Sequence, residues 1–390
     1  MSRTLGRSLR VIVKVGSAVI APGGALDERV VERLAADIDA LMADGRRRVV
    51  IVSSGAVASG FRALGMPRPP REIVGKQAAA AVGQPRLMGA WAGAFARSAG
   101  GRGVAQVLLT AEDIDHRTRF LNARRTLEAL LDAGVVPVVN ENDSVSFAEI
   151  KLGDNDHLSS LVASLVDADV LVILSSVAGV WDSERSVRGG PVIVPEVRSL
   201  REGLAHVRAG ASDVGTGGMA TKIRAACAAA GLGVHVVIAD GAEPGVLSRI
   251  VAGEAVGTHF PPAAAGRGGR RGGRAARKRW IGFSARPKGT LIVDAGAERA
   301  MTGRGASLLP GGLVEVIGVF ARGALVEIAG PQRRVFARGL AGYSDAELRA
   351  IAGKKTSQIA STLGYHYADE AVHRDDLALT VEDAEQGARA

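Results

Sequence analysis

Val135-Val136-Pro137-Val138-Val139 runs without a break into Asn140-Glu141-Asn142-Asp143. After five more residues comes Glu149-Ile150-Lys151-Leu152-Gly153-Asp154-Asn155-Asp156-His157-Leu158. The apolar run reads as a buried strand from Val135 to Val139, and a helix is expected to open near Asn155 and run to Val166. From Asn140 to Asp156 there are three Asn, Gly153 and four carboxylates besides Glu149. A loop between a strand and a helix is where α/β proteins hold ligands, because the strand fixes position and the helix N-terminus attracts anions. Asn offers amide donors and acceptors and Asp can take the hydrogens of an ammonium group, so the loop suits a small zwitterion. Residue types alone also fit a plain polar turn; the surrounding chain decides between the two.

On the N-terminal side, Val11-Ile12-Val13-Lys14-Val15 followed by Gly16-Ser17 reads as a strand ending in a tight turn. A lysine near the end of such a strand either snorkels to the surface or aims its charge at a phosphate. Asp27 is placed to cap a helix with Val30, Leu34, Ile38 and Leu41 on one face and Gly45 as its stop. Val49–Val52 is a second buried strand running into Ser53-Ser54-Gly55-Ala56, a turn of small residues. Ala-rich helices follow through Arg97, with Pro85 expected to start or interrupt one of them. Val104–Leu109 is a third strand and Thr118–Leu131 a helix.

Beyond the central loop, strands are expected at Val170–Leu174, Val192–Val194 and Val234–Ala239. Between the last two lies Gly215-Thr216-Gly217-Gly218-Met219-Ala220-Thr221-Lys222, which leads into a helix from Ile223 to Ala230. Its lysine follows the Thr, so it is not a Walker A loop. It does have the parts of a phosphate cradle: free backbone N–H groups, a helix N-terminus and a lysine in the first turn. Strand–helix alternation of this kind indicates a mainly parallel sheet covered on both faces.

From Gly253 to Arg279 the pattern breaks. Between Gly266 and Arg279 there are six Arg, one Lys and no acid, so this segment holds +7 of the net charge of +9 and the basic character belongs mostly to a linker. Short β-like runs follow at Thr290–Val293, Leu313–Val319, Leu325–Ile328 and Arg334–Arg338, closing with one helix near Asp345–Ala352. The division expected is a first domain over 1–260, a Pro/Arg/Gly-rich linker over 261–279 and a small, mostly β domain over 280–380.

With 390 residues, 47% of them apolar, the chain can build more than one core. The single Cys227 excludes an internal disulfide, fits a small residue buried in a helix and points to a reducing, cytoplasmic setting. No signal peptide or membrane span is expected, and the seven scattered His show no metal-site spacing, so no dedicated metal ligands are assigned.

Lys14-Val15-Gly16-Ser17, Ser53-Ser54-Gly55-Ala56-Val57, Asn140-Glu141-Asn142-Asp143, Gly153-Asp154-Asn155-Asp156 and the glycine-rich run to Lys222 stand in the order found in glutamate 5-kinases. The chain thus resembles the amino acid kinase family over its first part, and its Trp280-onward part resembles a PUA domain. The resemblance implies an αβα sandwich with a mainly parallel eight-stranded sheet. It also implies ATP-dependent phosphorylation of the side-chain carboxylate of L-glutamate to L-glutamyl 5-phosphate, the first step toward proline. Matched to the family, Lys14 and Lys222 stabilise the transferring phosphoryl group and Asp156 orients them. Ser54, Asp143 and Asn155 hold glutamate; Lys14, Ser175, Ser176 and Thr216-Gly217-Gly218-Met219-Ala220-Thr221-Lys222 hold ATP, with Mg²⁺ on its phosphates.

The chain departs from many members after Leu174, where Ser175-Ser176 replaces Thr-Asp. A missing carboxylate there bears on the adenosine contacts and leaves the phosphate chemistry untouched. Proline feedback, a homo-oligomer and absence from membranes complete the expectations. Two alternatives stand beside them: a kinase of another small acceptor on the same scaffold (aspartate, N-acetylglutamate, carbamate or UMP), or an RNA-binding protein acting through the PUA-like domain.

Overall fold

The structure, a computed structural model, describes residues 10–115, 117–145, 155–182, 192–207, 218–262 and 287–379. The chain divides into two compact units, Met1–Arg267 and Gly268–Ala390. The Pro/Arg/Gly-rich linker expected over 261–279 lies outside the described residues except for Pro261 and Pro262.

In the first unit, six parallel strands form the body of the sheet: β1 (Arg10–Val15), β2 (Arg48–Ser53), β3 (Val104–Leu109), β4 (Val136–Glu141), β5 (Val170–Ser175) and β6 (His235–Asp240). A three-residue antiparallel strand, β7 (Thr258–Phe260), closes one edge, giving the order β3-β4-β2-β1-β5-β6-β7. β1, β2, β4, β5 and β6 are buried along nearly their whole length. That is why they read as continuous apolar runs rather than alternating ones.

Side-chain alternation assigns the two faces. Val11, Val13, Val15, Val49, Ile51, Val138, Val170, Val172 and Val237 point into one core with Leu34 and Ile38 of helix Glu28–Met42, Leu87, Trp91 and Phe95 of helix Ile73–Arg97, and Leu247 and Ile250 of helix Val246–Ala252. The opposite face, to which Ile12 and Lys14 belong, carries helices Asn155–Leu165 and Met219–Gly231. Each fully buried Val or Leu contributes about 1.5–3 kcal/mol. The result is the expected αβα sandwich, with seven strands in this sheet among the described residues rather than eight.

Three local expectations need correction. Val192–Val194 is not a strand: only Ile193 pairs, by an isolated bridge to Trp181, beside backbone bonds from Val194 N to Val180 O and Asp182 N to Val192 O. The strand that does close the sheet, β7, has only three residues and hence no legible periodicity. It is held from outside its sequence, by Val180 N–H donating to Thr258 Oγ1 at 2.8 Å and Thr258 Oγ1 donating to Val194 O at 2.7 Å.

Pro85, expected to start or interrupt a helix, lies inside the continuous helix Ile73–Arg97. A proline there costs about 3 kcal/mol, which the packing of this helix offsets. Besides its buried aromatic side, it interlocks with the short helix Ala56–Gly60. A Cβ on Gly83 would lie 1.8 Å from Ala56 O, and one on Gly60 would lie 1.9 Å from Ala79 O. Backbone meets backbone at this crossing, and only glycine permits it.

The second unit is a mixed five-stranded sheet in the order β12-β11-β10-β8-β9, made of β8 (Gly289–Val293), β9 (Leu313–Gly318), β10 (Leu325–Ala329), β11 (Val335–Leu340) and β12 (Leu377–Leu379). Leu291, Val293, Phe336, Tyr343, Leu348 and Ile351 anchor its own core. Helix Asp345–Ile351 opens on a capping box between Ser344 and Glu347. The expectation of one helix is exceeded: Ala295–Arg304, capped by Asp294, and Ile359–Leu363 are also helical. Ala295–Arg304 buries only Met301, so its sequence carries no apolar stripe to read.

Candidate active site

The carboxyl ends of β1, β2, β4 and β5 lie side by side, and Lys14, Ser54, Asn155, Asp156 and Lys222 come together there. Lys14 precedes the last residue of β1, in register with Val52 and Ile173. Its alternation turns it away from the Val13–Val15 core toward the face of helix Asn155–Leu165. It does not snorkel: it is 3% exposed and pairs with Asp156 Oδ1. The second carboxylate oxygen, Asp156 Oδ2, receives Lys222 Nζ at 3.1 Å and Thr221 Oγ1 at 3.1 Å. Asp156 is 0% and Lys222 7% exposed. Thr221 Oγ1 also lies 2.7 Å from Gly218 O, which ties this turn to the N-cap of helix Met219–Gly231.

Two ammonium groups therefore share one buried carboxylate, leaving a net charge of +1 at the N-terminal ends of two helices. Burial by itself would raise the Asp156 carboxyl, but Lys14 and Lys222 outweigh it and hold it below its ordinary value. Burial keeps His157, the next residue, below its ordinary value too, so the imidazole is neutral at pH 7. An excess positive charge in a dry, preformed cradle is an anion site.

Beside it runs a chain of amides. Asn155 Nδ2 donates to Ser54 Oγ at 2.9 Å and to Asn140 Oδ1 at 3.0 Å. Both amide hydrogens are thereby used, and the buried Asn155 Oδ1 is left without a partner. What remains on Asn155 for a ligand is an acceptor, and an acceptor asks for a donor such as an ammonium group. Ser54 is held by its backbone N–H on Val15 O at 3.0 Å. Gly55 follows with φ of 111°, a left-handed turn that β2 uses to enter helix Ala56–Gly60.

Asp143 stands in the turn after β4. Burial first, and then the neighbouring Glu141, push its carboxyl up to about 6, while Lys76 opposes the shift. A carboxylate so placed gains from a bound cation. Ser175, almost fully buried, ends β5 and accepts from Gly241 N at 2.8 Å, and Ser176 follows it exposed. Gly218, Met219 and Ala220 form the cap and first turn of the Met219 helix; Thr216 and Gly217 lie outside the described residues.

Several residues escaped the sequence reading. Gln84, 7% exposed on the long helix, accepts from Asn140 Nδ2 at 2.9 Å. Thr221, expected at the nucleotide, carries no sequence signal of its contact with Asp156. Asp240, at the end of β6, is the register partner of Ser175 and so places a carboxylate one strand away from the missing one. Cys227 is half-buried; burial and then Glu202 push its thiol up to about 11, so it is unreactive at neutral pH.

A parallel sheet with two buried lysines on one carboxylate at its carboxyl edge offers preformed positive charge of the kind that phosphoryl transfer between anions needs. The model of the amino acid kinase family matches residues 9–240, and that of the PUA domain matches residues 289–363. A protein of Myxococcus xanthus named glutamate 5-kinase is 50% identical over 380 residues, spanning 97% of this chain and 98% of its own. Proteins of the same name from Trichlorobacter lovleyi and Thermus thermophilus are 48% and 45% identical, spanning 95% and 96% of this chain and 96% and 98% of their own. The chain belongs to the amino acid kinase family and, within it, to the glutamate 5-kinases. Among the described residues no helix is long and apolar enough to cross a membrane.

Proposed function

We propose that the protein transfers the γ-phosphoryl group of ATP to the side-chain carboxylate of L-glutamate, forming L-glutamyl 5-phosphate and ADP, the first step toward proline. The observation that carries this is the Lys14–Asp156–Lys222 centre beside the Asn155 and Ser54 contacts. A glutamate oxygen attacks the γ-phosphorus as the bond to the ADP oxygen breaks. Two anions must approach in line, and Lys14 and Lys222 offset their repulsion without reorganising. No general base is required, because the carboxylate is already ionised at pH 7.

Asp156 holds both lysines, and its two oxygens are occupied in doing so. Mg²⁺ accordingly enters as part of the nucleotide substrate, on its phosphates. Asn155 Oδ1 and the carboxylate of Asp143 receive the α-ammonium group of glutamate, which favours a free amino acid over N-acetylglutamate, carbamate or UMP. Ser175, Ser176 and the turn from Gly218 to Lys222 are assigned to the nucleotide side in this reading. Proline as feedback inhibitor and a homo-oligomer belong to the same reading; sedimentation with and without proline tests both.

The decisive assay traps the acyl phosphate with hydroxylamine, using MgATP and each of the five acceptors in turn. Glutamate should give hydroxamate and ADP in equal amounts, and Lys222→Ala should lower turnover ~100-fold or more while glutamate still binds. Faster ADP release with another acceptor, or a Lys222→Ala enzyme keeping half its rate, would refute the reading.

A further inference from the structure

We infer that Gln84, a buried residue of the long helix that lies behind the site, is a positioning residue for substrate recognition: through Asn140 it holds the Asn155 amide in place.

The argument starts from a backbone group. Glu141 N–H donates to Asn140 Oδ1 at 2.9 Å. A backbone N–H can only donate, so the Asn140 amide has one allowed orientation, with its oxygen toward Glu141. That oxygen also takes Asn155 Nδ2 at 3.0 Å, which commits Asn155 to presenting Oδ1 elsewhere. On its other side Asn140 Nδ2 needs an acceptor, and Gln84 Oε1 supplies it at 2.9 Å. Asn140 is 1% exposed, so bulk solvent does not reach it in the place of Gln84. Donation therefore runs from Asn155 to Asn140 to Gln84 on one side and from Asn155 to Ser54 on the other, and each link has a fixed sense.

Two features support a role beyond packing. Gln84 Nε2 is buried without a partner, a cost of about 1–3 kcal/mol that an apolar residue of the same shape would avoid. And Gln84 directly follows Gly83, the point where helix Ile73–Arg97 meets helix Ala56–Gly60 backbone to backbone. Helix Ala56–Gly60 opens on Gly55, directly after Ser54, so both ends of the amide chain attach next to this crossing. Without the Gln84 acceptor, Asn140 Nδ2 is buried and unsatisfied; the Glu141 N–H forbids a flip, so the side chain is drawn off its place and its hold on Asn155 Nδ2 loosens. The acceptor meant for the substrate's ammonium group is then displaced, while the lysine centre is untouched.

This inference rests on the glutamate kinase reading, and the test separates the two. Steady-state kinetics with glutamate and MgATP, together with thermal unfolding, are measured for the unsubstituted protein, Gln84→Met and Gln84→Glu. Gln84→Met removes the acceptor at similar volume and should raise the glutamate KM ~10-fold, with kcat and the ATP KM changed less than twofold. Gln84→Glu keeps an acceptor oxygen in the same place and should hold the glutamate KM within about threefold of the unsubstituted value. Should Gln84→Met fail to fold, Gln84→Asn, which draws the amide back by one methylene, must show the raised KM. An unchanged glutamate KM in the folded Met or Asn variant, or a loss confined to kcat or unfolding temperature, overturns the positioning role alone. No turnover of glutamate by the unsubstituted protein overturns the kinase reading, and this inference with it.

Discussion

Replacing Asp156 with Asn keeps the size of the side chain and removes the carboxylate that Lys14 and Lys222 share. At 3.1 Å from Lys222 and an effective dielectric of ~20, the attraction lost is about 5 kcal/mol for that pair before desolvation is counted. Lys14 loses a comparable term. The lysines cannot recover it from water, since both are nearly inaccessible. Removing one partner of such a buried arrangement costs about 3–5 kcal/mol in stability.

Asp156→Asn should therefore lower the urea midpoint of the first unit strongly at pH 7. ATP brings several negative charges to the same two ammonium groups, so saturating MgATP should recover more stability in the variant than in the parent. Turnover in the hydroxamate assay should fall by ~100-fold or more, because the lysines lose their fixed positions. The sign with pH also follows. The folded Asp156 carboxyl lies below its ordinary value, so its contribution is complete above the usual carboxylate range and is lost as pH falls through the folded value. Parent and variant should accordingly converge in stability only under strongly acidic conditions. A variant that is as stable as the parent at pH 7, or that turns over at half its rate, would refute the view that Asp156 organises the centre.

Three further outcomes are expected. The glutamate KM should rise as pH falls through about 6, because Asp143 is raised to that value and must be ionised to receive an ammonium group; Asp143→Asn should raise the KM at pH 8 and abolish the inflection. Gly83→Ala should destabilise the protein by ~1–3 kcal/mol or more in chemical denaturation, since its Cβ would lie 1.8 Å from Ala56 O and the facing atom is backbone; full stability would mean that the two helices are free to move apart. A chain ending at residue 265 should stay folded by circular dichroism and still phosphorylate glutamate, since every residue assigned to the chemistry precedes it; losing the segment that carries +7 should also remove any salt-sensitive binding to RNA. A folded but inactive truncation would show that the second unit completes the active site.

Much of the architecture is legible in the chain because it is written in local patterns. Continuous apolar runs such as Val49–Val52 and Val170–Leu174 announce strands buried on both faces, and Asp27 caps its helix in the structure through Arg29 N as its residue type suggests. Lys14, Asp156 and Lys222 each carry a local sign as well: a charge in a buried strand, or a polar residue at the opening of a helix. What no local pattern holds is the distance between them. Lys14 and Lys222 come together on one carboxylate only because parallel strands place all their carboxyl ends at one edge of the sheet. The same holds for Pro85, tolerated because its helix is pinned by tertiary packing, and for β7, which is a strand only because Val180 and Val194 hold Thr258. Gln84 is the clearest case. In sequence it is one polar residue in an Ala-rich helix, and its meaning depends on Asn140 lying 2.9 Å away across fifty-six positions of chain. Hydrogen-bond direction is a property of pairs in space, so it was decided only when the fold closed.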